Sequence, residues 1–295
     1  MSNPTTDQDL KRFGQLTLTA WELEHALDNV EPDPELEVQP PRPARAGSMA
    51  LRAHARLQGE METRLGVPKD RRTRIGIQPE VGESVLLVHG STGTPQDLDG
   101  LARFLYGQGY TVYNMLLPGH GLESTTLPVV KWKACLNEVQ LRYRLLARHS
   151  RLVHVVGFSF GGALAILLTR QEQPASLSLL APALVPRVPL GTRLLMLLGL
   201  HRLPLLRRRI GWNLEVFEAM ERAKSQVGKL RLPIYAAHCQ DDARIDPASL
   251  RLLQKRTRHR ASRFRLFKTG GHMILAAHGE TALNDALLQF LRDRH

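Results

Sequence analysis

From Ser84 onward the apolar residues fall into two alternating patterns. Short runs of branched residues predict strands at 84–89 (SVLLVH), 110–117 (YTVYNMLL), 151–157 (RLVHVVG), 175–181 (ASLSLLA), 232–238 (LPIYAAH) and 262–268 (SRFRLFK). Between them, three- and four-residue spacing predicts helices over Asp97–Gln108, Val130–His149, Phe160–Glu172, Pro247–Thr257 and His278–Arg292. Such alternation builds a mostly parallel sheet covered by helices on both faces. Continuously apolar strands such as VLLV suit a sheet buried on both sides. The expected class is α/β.

Two regions break the alternation. Residues 1–75 hold helical stretches at Leu16–Val30 and Ser48–Leu65, separated by EPDPELEVQPPRPARAG, whose prolines favour extended backbone. Neither stretch carries enough apolar surface to fold alone, so residues 1–75 read as an arm that packs on a main domain, 76–295, or stays partly disordered. Between Pro182 and Leu230 no strand pattern appears, and short helices from GTRLLMLLGL and NLEVFEAMERAKSQV fit instead. An insertion there sits over the carboxyl edge of the sheet, where ligands bind in open α/β folds, and reads as a cap at about 183–229.

Composition narrows the function classes. The formal charge of +12 is uneven, because residues 1–40 hold two basic and nine acidic side chains. A solvated cationic surface is the plain reading, and peripheral contact with anionic membrane is the functional one. The basic residues are not interleaved with aromatics, which argues against nucleic acid. Cys135 and Cys239 stand alone, as packing residues of a reducing compartment rather than metal ligands. No apolar run reaches the ~18 residues of a membrane span. The start, MSNPTTDQDLKRFGQL, lacks the pattern of a secretory signal, so a cytoplasmic location is expected.

The strongest chemical signal is GFSFGG at 157–162, between the strand LVHVV and the helix ALAILLTR. Gly157 and Gly161 leave room for a sharp strand-to-helix turn that lifts the Ser159 hydroxyl clear of the backbone. A serine hydroxyl needs a base, and the base needs an orienting group. His272, in the Gly-rich loop TGGHMIL after the last predicted strand, is the candidate base; His278 reads as a surface residue. Asp241, Asp242 and Asp246 compete as the orienting acid, Asp246 before Pro247 also looking like a helix cap. Backbone N–H groups of Phe160 and of Ser91, in HGSTGTP, are the expected oxyanion donors. His89 and His120 read as residues that hold these loops.

Together HGSTGTP, LPGHG, GFSFGG, DDARIDP and GGHMIL resemble the bacterial carboxylesterases and monoacylglycerol lipases of the α/β-hydrolase superfamily, from about Gly82 to the C-terminus. The resemblance implies the α/β-hydrolase fold and ester cleavage through an acyl-enzyme on Ser159, with a small acyl ester, lipid-like in some members, as substrate. It selects Asp242 as the acid, since an apolar residue and a proline follow it in the family's frame. No cofactor and no metal is implied. Thioesterase or peptidase chemistry on the same triad is the alternative, and a non-catalytic binding protein the remote one. Ser91 departs from the bulky apolar residue usual after His-Gly, and the arm has no counterpart in minimal members.

Overall fold

The computed structural model of the chain describes residues 43–122, 131–187, 191 and 214–293. Seven strands form one sheet: β1 (Arg74–Gly76), β2 (Glu83–Val88), β3 (Thr111–Met115), β4 (Leu152–Phe158), β5 (Ser176–Leu180), β6 (Ile234–Cys239) and β7 (Arg263–Phe267). Their spatial order is β1-β3-β2-β4-β5-β6-β7, with every neighbouring pair parallel except β1 against β3. All six strands expected from the sequence are present. The helices are α1 (Pro43–Arg64), α2 (Asp99–Gly107), α3 (Trp132–His149), α4 (Phe160–Leu168), α5 (Leu214–Gln226), α6 (Ala248–Arg256), α7 (Ile274–His278) and α8 (Asn284–Arg292).

Side chains alternate across each strand, and here both faces are apolar. Leu86, Val88, Val155, Leu177, Leu179 and Ala236 join one core with α3, α4, α5 and α6. Val85, Leu87, Val156, Phe158, Leu180 and Ala237 join a second core with α2, α7 and α8. α4 runs through the first core with all nine residues buried, as its mean hydropathy demands. α1 closes this core from outside, with Leu51 fully buried and the helix lying on α3.

Four differences from the sequence reading have local causes. β1 is too short and too basic to show an apolar run; it exists because it pairs with β3 and because Arg74 forms an ion pair with the buried Asp99. The helix expected to reach Glu172 ends at Leu168, where the Thr169 hydroxyl donates to the Ile166 carbonyl at 2.7 Å. The last helix begins earlier than His278 and is interrupted by a π-turn at Gly279–Leu283. α5 lies within the expected cap, yet Ala219, Met220 and Ala223 are core residues packed with α4. The expected helix at Leu16–Val30, and all of the one in GTRLLMLLGL except Gly191, lie outside the described residues. No described helix is long and apolar enough to cross a membrane.

The sheet order places a switch point at β2. β3 lies on one side of it and β4 on the other, so the chain leaves β2 and β4 in opposite directions. Val88 pairs with Gly157, which sets the loops after these two strands side by side at the carboxyl edge. A crevice opens there in folds of this kind.

Candidate active site

Ser159 follows β4 with φ 54° and ψ −115°, a conformation rare for a residue with a side chain. The surroundings hold it there. Its N–H donates to Leu180 O at 2.9 Å, and its carbonyl accepts from Gly162 N at 3.0 Å and Ala183 N at 2.9 Å. A Cβ on Gly161 would stand 2.1 Å from Val88 O, and one on Gly157 would stand 2.4 Å from Gly161 O. Both positions therefore require glycine.

His272 reaches the serine from the loop between β7 and α7. Its Nε2 lies 2.9 Å from Ser159 Oγ, and its Nδ1 lies 2.8 Å from Asp242 Oδ2. Nδ1–H donates to the carboxylate, which leaves Nε2 to accept the serine proton. The loop itself is pinned at two places. Asp241 accepts from Gly270 N at 3.2 Å and from Gly271 N at 2.9 Å, and His278 Nε2 bonds Thr269 O at 2.6 Å while stacking on Phe267.

The three competing aspartates thus separate. Asp241 ties down the histidine loop, Asp242 meets His272, and Asp246 accepts from Ala248 N at 2.8 Å at the start of α6. Asp242 is fully buried, and its Oδ1 accepts the N–H groups of Arg244 at 2.8 Å and Ile245 at 2.9 Å. Burial opposes its charge, but donors from His238, His272 and the Ile245 N–H outweigh that and hold its carboxyl well below the usual carboxylate range. His238 is the residue that sequence reasoning missed. It is fully buried in β6, with Nε2 3.1 Å from Asp242 Oδ2 and 3.1 Å from Ile245 O. A histidine interrupting an apolar strand just before the acid loop was the available signal.

Ser91 lines the same cavity as Ser159 and Phe160 follows Ser159 in the chain, and the Gly90 backbone is so close that an added Cβ would meet Ser159 Cβ at 3.3 Å. Neither the Ser91 nor the Phe160 N–H has an acceptor among the described residues. Two histidines hold this loop. His89 Nε2 accepts from Leu117 N at 3.0 Å, and Nδ1–H donates to Gly90 O at 2.8 Å. Burial, then the nearby His120, pushes the His89 pKa down to about 3, so the ring stays neutral. His120 Nε2 bonds Ser91 O at 2.8 Å.

Above Ser159 lies a cavity of about 600 Å³ lined by Ser91, Val216, Arg244, Ile245, His272 and others. Among the described residues, no cluster of three histidine, cysteine or acidic side chains is placed to hold a metal ion. Cys135 and Cys239 are buried free thiols, pushed up by burial to about 12 and about 11.

Residues 85–286 match the profile described as the Alpha/beta hydrolase family. The chain belongs to that family. Among alpha/beta hydrolases, a thermostable monoacylglycerol lipase of Bacillus sp. (strain H-257) is 34% identical over 101 residues, 33% of this chain and 40% of that enzyme. The match therefore spans well under half of that relative. A structure of the metagenome-derived lipolytic enzymes LipS and LipT superposes with a TM-score of 0.65 at 17% identity, covering 77% of this chain and 99% of the other. The monoacylglycerol lipase of Paleococcus ferrophilus gives 0.60 at 20% identity, covering 76% and 99%. At these identities the two structures show a shared fold.

Proposed function

We propose that the protein is a serine hydrolase that cleaves carboxylic esters through an acyl-enzyme on Ser159. One observation carries the reading: Ser159 Oγ, the His272 ring and the buried Asp242 carboxylate stand in one hydrogen-bonded line, at 2.9 and 2.8 Å, beneath an open cavity. His272 Nε2 takes the hydroxyl proton as Oγ attacks the ester carbonyl. The tetrahedral oxyanion is received by the N–H groups of Ser91 and Phe160. The same proton then passes to the departing alcohol, leaving an acyl-enzyme. Water, deprotonated by His272, adds to the acyl carbon, and collapse of the second intermediate returns the proton to Oγ and releases the acid.

The choice of an ester is supported by the monoacylglycerol lipase relative and by the lipolytic enzymes that share the fold. We favour a lipid-like acyl ester. The net charge of +12 supports contact with anionic lipid surfaces, and the segment at 183–229, from which Val216 lines the cavity, supports a cap over the acyl group.

The decisive experiment combines a fluorophosphonate probe with p-nitrophenyl esters, acyl-thioesters and p-nitroanilides. Wild type should label at Ser159 and turn over the esters fastest, whereas Ser159→Ala should do neither and remain folded. An intact wild-type protein that neither labels nor cleaves any of the three overturns the reading. Faster thioester or anilide cleavage replaces the substrate class and keeps the mechanism.

A further inference from the structure

Two short segments run antiparallel beside the catalytic cavity, Val185–Arg187 and Arg244–Asp246, bridged at Pro186 and Ile245. Arg187 N–H donates to Arg244 O at 2.9 Å, and Asp246 N–H donates to Val185 O at 2.8 Å. The register therefore sets Arg187 opposite Arg244. Both side chains are exposed, and Arg244 lines the cavity together with Ser159 and His272.

Like charges directly opposite one another across paired strands destabilise the pairing. Here nothing in the described residues relieves the repulsion, because neither guanidinium has a carboxylate or carbonyl partner. Asp246, on the same segment, is engaged elsewhere, with Ala248 N at 2.8 Å and Arg251 at 3.5 Å. Among the described residues the one carboxylate lining the cavity, Asp97, is turned toward the 89–95 loop, its Oδ2 filling the space where a side chain on Gly93 would stand. The backbone that carries Arg244 is rigid, since its N–H is bonded to Asp242 and its carbonyl to Arg187. Two guanidinium forks without a partner among the described residues, carried side by side on paired backbone next to the cavity, match the planar oxygen pairs of a carboxylate or phosphate.

We propose that Arg187 and Arg244 form an anion-binding rim that selects esters bearing a carboxylate or phosphate away from the scissile bond. This rests on the serine-esterase reading above and names the substrate class of that site. The anion docks on the guanidinium pair while the ester carbonyl lies over Ser159, so charge recognition and attack occur on one bound substrate.

The test compares matched substrates that differ in one anionic group. One arm sets mono-p-nitrophenyl glutarate against p-nitrophenyl pentanoate, placing a carboxylate on the acyl side. The other sets 1-butyrylglycerol 3-phosphate against 1-butyrylglycerol, placing a phosphate on the leaving alcohol. Wild type should prefer the anionic member in at least one arm, and the preference should shrink as salt rises. Arg187→Gln and Arg244→Gln should each cut the anionic-to-neutral ratio of kcat/KM about tenfold, the loss of one charge-assisted contact. The arm that responds identifies where the anion sits. A wild-type enzyme that cleaves the neutral esters, labels at Ser159 and shows no arginine-dependent ratio in either arm overturns the rim. Absence of both labelling and neutral ester cleavage overturns the esterase reading instead.

Discussion

His238 and His272 share one carboxylate oxygen: Asp242 Oδ2 lies 3.1 Å from His238 Nε2 and 2.8 Å from His272 Nδ1. His238 is fully buried in β6 and meets the carboxylate through this oxygen. Supporting donors of this kind orient the group that contacts the reacting residues. We expect His238→Leu to lower kcat about tenfold with a smaller change in KM, and His238→Gln, which keeps an N–H, to recover part of the loss. Steady-state kinetics of the two variants on a short ester decide this. Equal losses in both, tracking the loss of thermal stability alone, would reduce His238 to a packing residue.

A second expectation concerns the contact between α1 and the site. Glu62, 2% exposed, accepts from Thr73 N at 2.9 Å and from Thr73 Oγ1 at 2.5 Å, and Thr73 Oγ1 accepts from Leu116 N at 3.0 Å. The next amide, Leu117 N, is the one His89 holds while its other nitrogen bonds Gly90 O. Thr73→Val keeps the shape and removes the hydroxyl, so Leu116 N and Glu62 each lose a partly buried hydrogen bond. A stability loss of about 2 kcal/mol is expected, with kcat reduced more than KM, and Thr73→Ser should restore both. Chemical denaturation paired with ester kinetics tests it. An unchanged kcat in a destabilised Thr73→Val protein would show that the contact does not reach the oxyanion loop.

Acid sensitivity follows from one buried imidazole, His89, and one partly buried imidazole, His54. Burial, aided by Arg142 at His54 and by His120 at His89, lowers both pKa values from 6.5 to about 3. Between these limits the unfolded chain takes up protons that the native state refuses. Stability is therefore complete above about pH 6.5 and falls as pH drops, by up to roughly 1.4 kcal/mol per pH unit for each histidine. Asp242, whose pKa is also depressed in the native state, adds loss in the same direction once the pH passes below the usual carboxylate range. Urea midpoints at pH 7 and pH 5 should differ clearly. Coincident midpoints would mean that these rings protonate without unfolding the chain.

The residues that carry the proposed chemistry were legible because each is punctuated. Ser159 is framed by glycines the turn requires, and His272 sits behind Gly270 and Gly271, both with positive φ. Asp242 was less legible, since three aspartates shared one loop and only a family frame selected among them. The structure gives each a different set of donors. His238 and Arg187 were hard to read for opposite reasons. A histidine inside YAAHC looks like packing until its partner is seen, and an arginine in a loop looks solvated until the bridge at Pro186 and Ile245 sets it opposite a second one. β1 escaped because three residues with little burial carry no periodicity; pairing with β3 creates it.

Gly161 stands so close to Val88 that not even a methyl group fits between them. The serine turn and the end of β2 that leads into the 89–95 loop are thus packed backbone against backbone, which ties the proposed nucleophile to the proposed oxyanion donors. If Ser159 attacks and the Ser91 amide receives the oxyanion as proposed, adjustments that admit different substrates have to come from elsewhere around the rim, because this junction leaves no space to give.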